Sequence, residues 1–368
     1  MNNKLVNLTG LILAIALIVG CSSPSKKDKE ADNMSKLPEE KITSKVNEFV
    51  DVELKADISH LSKDQKKMLS HLYDVSRIMD ELFWKEAFGE KEELLGKIEN
   101  KDLKTFVKIN YGPWERLNNN KPFVKGYGEK PEGANFYPED MTKEEFENFE
   151  SEDKTSLYTI IRRDKEGSLK TVPYHEAFEQ KIKKAAKLLK KAAKLAENDS
   201  FKKYLNLRAE ALLNDEYLDS DMAWMDVKNN DVDFVVGPIE NYEDGLYGYK
   251  AAHEAFILLK DHDWTEKLDK FNALMPELQK SLPVAKKYKS EVPGSDSDLG
   301  VYEAVYYAGD CNAGSKTIAI NLPNDERVQE KKGSRKLQLK NAMRYKFEKI
   351  LKPISDELIA KDQRNYIK

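Results

Sequence analysis

Two short segments carry residues whose types and spacing could do chemistry. In Val235-Val236-Gly237-Pro238-Ile239-Glu240-Asn241-Tyr242-Glu243-Asp244, an apolar β-type run leads into three acids and a phenol. Side chains alternate faces along a strand, so Glu240 and Tyr242 would look into one space if the strand continues. A carboxylate there can hold a cationic amine, and a phenol can donate to a carbonyl oxygen. The alternative is a strand end with solvated acids. In Lys316-Thr317-Ile318-Ala319-Ile320-Asn321-Leu322-Pro323-Asn324-Asp325, a buried strand ends in two amides flanking a proline. Asn321 and Asn324 offer donors and an acceptor suited to gripping a peptide backbone. The alternative is a turn followed by a helix cap, where Asn and Asp are favoured.

No metal site is visible in the spacing. The histidines are His60, His71, His175, His253 and His262. The pairs His175-Glu176 and His253-Glu254 lack the second His four or five residues on that a zinc peptidase helix needs. His253 and His262 are nine apart, which places them on opposite faces of a helix. A G-x-S-x-G elbow, a P-loop and a Gly-rich dinucleotide loop are all absent.

The elements that must position these residues read as long helices with a few separated strands. Ser62 and Gln65 form a capping box. Met68, Leu72, Val75, Met79 and Leu82 then recur at spacings of four and three, giving one core-facing stripe. Residues 109–138 are broken by Gly and Pro and read as irregular. Thr142 with Glu145 is a second capping box. Residues 156–163 and 168–172 flank the turn Asp164-Lys165-Glu166-Gly167 as a hairpin. Residues 174–198 read as one long helix whose lysines form a solvated face. Residues 201–214, 249–260 and 264–282 read as helices, and 232–239, 301–308 and 317–322 as strands. A final helical stretch covers 334–359, bent at Pro353. Without a regular βαβ alternation, this order predicts an α+β fold.

Apolar residues make up 40% of the chain and charged residues 34%, with both signs interspersed. That suits a solvated globular body of one large or two modest domains. No basic excess points to nucleic acid. At the N-terminus, Lys4 precedes the apolar run Leu11-Ile12-Leu13-Ala14-Ile15-Ala16-Leu17-Ile18-Val19. A bilayer span needs roughly 20 such residues, so the run reads as the core of a secretory signal. Ile18-Val19-Gly20-Cys21-Ser22-Ser23 resembles the lipobox of bacterial lipoproteins, whose cysteine becomes a lipidated N-terminus. Residues 1–20 are then a signal peptide and Cys21 the lipidation site. Residues 21–42, polar and bearing Pro24 and Pro38, are a flexible tether. Residues 43–368 are the globular part. The protein is expected to be exported and held on a membrane of the bacterial cell envelope. Loss of Lys4 takes Lys+Arg from 61 to 60 against 65 Asp+Glu, a net charge of −5. With Cys21 acylated, Cys311 is alone and no intramolecular disulfide forms.

Taken together, the two chemical segments resemble a known family. Gly237-Pro238-Ile239-Glu240-Asn241-Tyr242-Glu243-Asp244-Gly245-Leu246-Tyr247-Gly248-Tyr249-Lys250-Ala251-Ala252 is similar to the substrate-binding strand region of dipeptidyl peptidase III, a zinc exopeptidase. Asn321-Leu322-Pro323-Asn324 resembles that family's Asn-x-Pro-Asn motif. Gly333-Ser334-Arg335-Lys336-Leu337-Gln338-Leu339-Lys340-Asn341 and Tyr111-Gly112-Pro113-Trp114-Glu115-Arg116 resemble its bacterial branch. The likeness runs from about Leu61 to the C-terminus.

The resemblance implies a mainly helical, two-lobed α+β peptidase fold with a small mixed β-barrel and a peptide cleft. It implies removal of dipeptides from the free N-termini of short peptides. Carried over by position, Glu240 would bind the substrate's α-ammonium, and Asn321 and Asn324 would anchor its N-terminal portion. Tyr242 would be catalytic, stabilising the developing oxyanion. The family's zinc helix, His-Glu-x-x-x-His, and its further Glu ligand have no counterpart in this sequence. Zinc is expected for the family, but the resemblance finds no ligands for it in this chain. The helical lobe is expected to be incomplete and completed by a downstream polypeptide. The chain alone is expected not to hydrolyse peptides, lacking a Lewis acid and a general base. A non-catalytic peptide-binding lipoprotein and a purely structural lipoprotein are the alternatives.

Overall fold

The structure, a computed structural model, describes residues 34–289 and 298–364. The signal segment, Cys21 and most of the expected tether lie outside the described residues. The end of that tether is not a linker. Ser35 bridges Val124, and Lys36 N–H donates to Phe123 O at 2.8 Å. Glu39–Asn47 is a helix that buries Ile42, while Leu37, Val46 and Phe49 pack on the same core. Few apolar residues in a polar stretch suffice when each one faces inward.

The Lys63–Ala87 helix organises the molecule. Its capping box forms as expected: Gln65 N–H donates to Ser62 Oγ at 3.0 Å, and Ser62 N–H donates to Gln65 Oε1 at 2.9 Å. Met68, Leu72, Val75, Met79 and Leu82 are buried against the Glu179–Leu195 and Asp199–Asn214 helices and the main sheet. The helix's last turn sends Phe83, Trp84 and Ala87 into a second core, built largely from residues 94–174. A single helix therefore belongs to both cores. The lysines of Glu179–Leu195 lie opposite Ile182, Ala185, Ala186, Leu189, Ala192 and Ala193, which are buried, so the solvated face is as expected.

Among the described residues, nine strands form three sheets. β1 (Trp114–Glu115) pairs with β2 (Lys121–Pro122), and β3 (Thr159–Arg163) with β4 (Leu169–Pro173), the expected hairpin. The main sheet holds β5 (Val232–Glu240), β6 (Ala252–Lys260), β7 (Asp298–Gly309), β8 (Ala319–Leu322) and β9 (Arg335–Leu339) in the order β5-β6-β7-β9-β8. Only β7 and β9 run parallel. The sheet is mixed, and side chains link its far members. Arg335 on β9 donates to Asp233 on β5 at 2.7 Å, and Asn324, just past β8, reaches the end of β5. The result is a mainly helical α+β fold around a mixed sheet.

Four expected helices change, one of them residues 264–282, which divide into the helices His262–Asn272 and Met275–Ser281. Residues 249–260 are largely strand β6, not helix, because Ala252–Leu259 are buried without a break between β5 and β7. An unbroken apolar run of that length cannot be told from a buried helix by periodicity. Residues 335–339 are strand β9: Arg335, Leu337 and Leu339 are buried while Lys336 is exposed, a period of two. The 174–198 helix breaks at Phe178, whose φ of −120° is not helical and whose ring touches both cores. Near Pro353 the helix relaxes into a π turn over Phe347–Leu351, one turn before the proline that cannot donate.

Candidate functional site

Glu240 is the last residue of β5, after a bulge between Pro238 and Glu240. It is half-buried, and burial raises its carboxyl above the ordinary glutamate value while the Asn324 amide opposes that. Asn324 Nδ2 donates to Glu240 Oε2 at 3.2 Å and to Ile239 O at 3.3 Å. The two segments singled out from the sequence thus meet at one point, 84 residues apart. The helix cap weighed as an alternative does exist, but it belongs to Asp325, which accepts from Arg327 N–H. Asn324 is left to face Glu240. Pro323 O is held by Gln329 Nε2 at 2.8 Å, and the Leu322–Pro323 peptide is cis. Asn321 is exposed on β8, opposite Lys336 of β9.

Tyr242 does not continue the strand. β5 ends at Glu240, and Tyr242 stands 80% exposed on the connecting loop. It lines an open polar cleft of about 500 Å³ with Asn119, Lys130, Glu132 and Glu243. The shared strand face expected for Glu240 and Tyr242 is therefore not formed. The bulge and the loop's internal bonds turn the chain before a second alternation can occur.

The loop's acids are not solvated. Asp244 is buried and accepts from Tyr137 Oη at 2.8 Å and from the N–H groups of Leu246, Tyr247, Tyr249 and Lys250. Asn241 Nδ2 donates to Gly248 O at 2.6 Å, and Gly248 has a φ of 70°, which suits glycine. Lys250 Nζ donates to Lys154 O, Ser156 O and Thr159 Oγ1, and burial pushes it down to about 8. Glu243 is buried between Arg116 (2.6 and 3.2 Å) and Lys130 (2.8 Å). Burial alone would raise its carboxyl, but the two cations outweigh that and hold it below the usual range. Arg116 thereby ties the Tyr111–Arg116 segment to the β5–β6 loop. Its Nε also donates to Asn110 O at 2.7 Å.

Sequence reasoning missed the acids behind this point. Asp310 is half-buried in the turn after β7. Burial and the nearby Glu243, Glu86 and Glu240 push it up to about 7, against the pull of Arg116. Glu254 on β6 is fully buried and raised well above the ordinary value, chiefly by burial, with Asp310 and Glu240 adding. Glu240 lies close enough to raise the carboxyls of both Glu254 and Asp310, which favours their neutral forms. Nothing local marks Asp310 or Glu254, since only the curl of the sheet brings them near Glu240.

Asp310 has a consequence for stability. Its carboxyl titrates near 3.8 when unfolded and near 7 when folded, so the native state binds more protons across that window. Stability therefore falls as pH rises from about 4 to about 7. Asp310→Asn is expected to flatten that slope and to stabilise the protein at pH 8 by about 2 kcal/mol. Thermal melts at several pH values test this, and parallel wild-type and variant curves would contradict it.

The histidines have structural partners. His253, fully buried on β6, places Nδ1 2.5 Å from Glu86 Oε1, and its N–H donates to Glu86 Oε2. His175 Nδ1 lies 2.8 Å from Asp215, and His262 Nε2 lies 3.0 Å from Asp231. Among the described residues, no group of three or more His, Cys, Asp or Glu side chains is arranged to hold a metal ion. Cys311 is buried, and burial pushes its thiol well up.

The fold is that of the dipeptidyl-peptidase III class. It superposes on a DPP III from Caldithrix abyssi with a TM-score of 0.83 at 44% identity, covering 88% of this chain and 64% of that one. A dipeptidyl-peptidase III from Corallococcus sp. strain EGB gives a TM-score of 0.79 at 35% identity, over 89% and 62% of the two chains. Nudix hydrolase 3 of Arabidopsis thaliana is 32% identical over 89% of this chain. The chain belongs to peptidase family M49, whose model matches residues 143–366. It spans half the length of the Arabidopsis relative and under two thirds of the two solved structures.

Proposed function

We propose that this chain is the substrate-gripping part of a lipid-anchored, dipeptidyl peptidase III-type zinc hydrolase that releases dipeptides from peptide N-termini. The observation that carries the proposal is the contact of Asn324 with Glu240 and the Ile239 carbonyl, at the end of a strand backed by Glu254 and Asp310. In this reading Glu240 takes the α-ammonium of a short peptide. Asn324 and Asn321 hold the peptide's first residues. Tyr242, on its exposed loop, closes over the bound peptide and donates its phenol to the carbonyl that becomes an oxyanion. Zinc, the Lewis acid expected of the family, would be held by residues of an adjoining polypeptide. The acyl group on Cys21 would hold the assembly on a membrane of the bacterial cell envelope.

The same contact of Asn324 with Glu240 would serve a second reading, a peptide-binding lipoprotein without turnover. Metal analysis and dipeptide release, measured on the purified 368-residue chain, separate the two from a self-sufficient enzyme. The expected result is peptide binding with neither stoichiometric zinc nor released dipeptide. Zinc together with turnover by this chain alone would overturn the assignment of the metal to another polypeptide. Hydrolysis gained on adding the adjoining polypeptide would decide for the first reading over the second.

A further inference from the structure

Asn324 also lines a cavity of about 200 Å³ that neither Glu240 nor Tyr242 lines. The Asp199–Asn214 helix supplies Tyr204 and Arg208 to it. The Leu218–Met225 helix supplies Asp221 and Trp224, and Tyr217 precedes that helix. β5 and the Leu322–Pro323 corner close the cavity with aliphatic side chains and proline rings. Its polar end is unusual. Arg208 is only 6% exposed, and its guanidinium lies 5.4 Å from the Tyr204 ring and 5.3 Å from the Tyr217 ring. It donates through Nη2 alone, to Asp221 Oδ1. Its Nε–H is sealed without an acceptor, and its Nη1 donates to none of the described residues. Asp221 Oδ2 likewise accepts from none of them. Buried polar groups are nearly always bonded, so a buried guanidinium with donors to spare points to an acceptor from outside the chain. The charges that line the cavity cancel: Arg208 pairs with Asp221, and Arg327 with Asp325.

We propose that this cavity is a second binding site, for a small neutral phenol whose hydroxyl bridges Arg208 Nη1 and Asp221 Oδ2. A hydroxyl both donates and accepts, so one group serves both open positions of the ion pair. Charge selects against the alternatives. A carboxylate would meet Asp221 and Asp325 with no surplus cation, and an amine would find no carboxylate that is not already paired; either would be buried without compensation. The rings of Tyr158, Tyr204, Tyr217 and Trp224 favour an aromatic body, which they can meet edge-on or offset. Size agrees as well, because a cavity of about 150 Å³ is enough to hold benzene. A mostly apolar wall with a few convergent polar groups is the usual make-up of a small-molecule site. The site is distinct from the proposed ammonium site, since a phenol carries no ammonium and Glu240 does not line this cavity.

The test is calorimetric titration of the full chain with three probes of one shape: p-cresol, toluene and p-toluate. p-Cresol is expected to bind, and toluene to bind about tenfold more weakly for want of the hydroxyl. p-Toluate should bind more weakly than p-cresol. Asp221→Asn keeps the shape and removes the negative partner, so Arg208 becomes a surplus cation and p-toluate should overtake p-cresol. Arg208→Lys keeps the charge and loses the planar fork, so p-cresol should fall to the level of toluene while toluene is unchanged. Circular dichroism checks that each variant is folded, and the three-probe series on the unaltered chain decides the matter even if a variant is not. Absence of p-cresol binding overturns the proposal. So does toluene binding as tightly as p-cresol, which would show an apolar void, or p-toluate binding more tightly, which would show an anion site. Tetraalanine should bind alongside p-cresol; mutual displacement would make the cavity part of the peptide groove and overturn its independence. Should tetraalanine fail to bind while p-cresol binds, the role given to Glu240 falls and this site stands.

Discussion

Glu240→Ala is expected to weaken binding of a short peptide with a free N-terminus by about 100-fold. Removing one member of a hydrogen-bonded, partly desolvated charge pair costs about 2–5 kcal/mol, and about 2.7 kcal/mol is a hundredfold. Glu240 is placed for this: half-buried, at a strand end, its orientation fixed by Asn324, with no cation of the described residues bonded to it. The specific control is the same peptide acetylated at its N-terminus. It should bind wild type weakly and be nearly indifferent to Glu240→Ala, because its ammonium is gone. Isothermal titration of both peptides against both proteins closes a cycle whose coupling term belongs to the carboxylate–ammonium contact. Equal losses for free and acetylated peptides would place the ammonium elsewhere. Asn324→Ala should cost less, about tenfold, because the amide orients Glu240 and adds one neutral hydrogen bond. Acid works in the same direction as these variants. Asp310 is pushed up to about 7, so lowering the pH from 7 toward 5 protonates it, removes a negative charge beside Glu240 and weakens peptide binding.

Arg116→Ala is expected to be the most damaging single change to stability outside the hydrophobic cores. Glu243 is buried, and two cations neutralise it, of which Arg116 makes the bidentate contact. Taking one partner from a buried pair leaves an uncompensated charge and costs about 3–5 kcal/mol. Arg116 also donates to Asn110 O and stacks its guanidinium 5.4 Å from the Phe83 ring, so packing is lost as well. A melting temperature lower by roughly 6–20 °C is expected at neutral pH, taking about 2–4 °C per kcal/mol. Arg116→Lys restores the charge but not the fork, and should recover only part of the loss. The double change Arg116→Ala/Glu243→Gln should be more stable than Arg116→Ala alone, since it removes the stranded charge. A loss of less than about 1 kcal/mol for Arg116→Ala would show that Lys130 and water suffice for Glu243. Because the pair ties the Tyr111–Arg116 segment to the loop carrying Tyr242, the same variant should also loosen that loop. Faster hydrogen exchange at Leu246, Tyr247 and Tyr249, whose N–H groups Asp244 holds, would register this.

Local sequence speaks clearly where local physics decides. The Ser62–Gln65 box, the stripe from Met68 to Leu82 and the turn at Asp164–Gly167 are all legible, because a cap, a helical face and a tight turn each depend on residues a few positions apart. The second box is half formed. Thr142 does cap Glu145 N–H, but the Glu145 carboxylate is drawn away to Arg163 at 2.6 Å. Strand β6 is not legible, because burial on both faces removes the alternation that marks a strand. Strand β9 hides at the head of a helix-forming stretch, and only its parallel partner β7 selects the extended form. Ile42 and its neighbours read as tether because a polar segment can be fastened by a few contacts that composition does not reveal.

For the site, sequence alone determined the chemistry on offer and the likeness to a family. Glu240, Asn321, Asn324 and Tyr242 stand in recognisable motifs, and their side chains carry the same donors, acceptors and charge in any fold. Tertiary structure decided which of them meet. It set Asn324 against Glu240, left Tyr242 on an exposed loop over a separate cleft, and made Glu243 and Asp244 buried fasteners where the sequence offered solvated acids. It also recruited Arg116, Glu254 and Asp310, which lie far apart in the chain. The physical reason is range. Capping and periodicity act over one or two turns, whereas the field at a carboxylate depends on every charge within several ångströms and on how much water is excluded. Those quantities exist only once the mixed sheet has curled and brought β5, the turn after β7 and the end of β8 to one place.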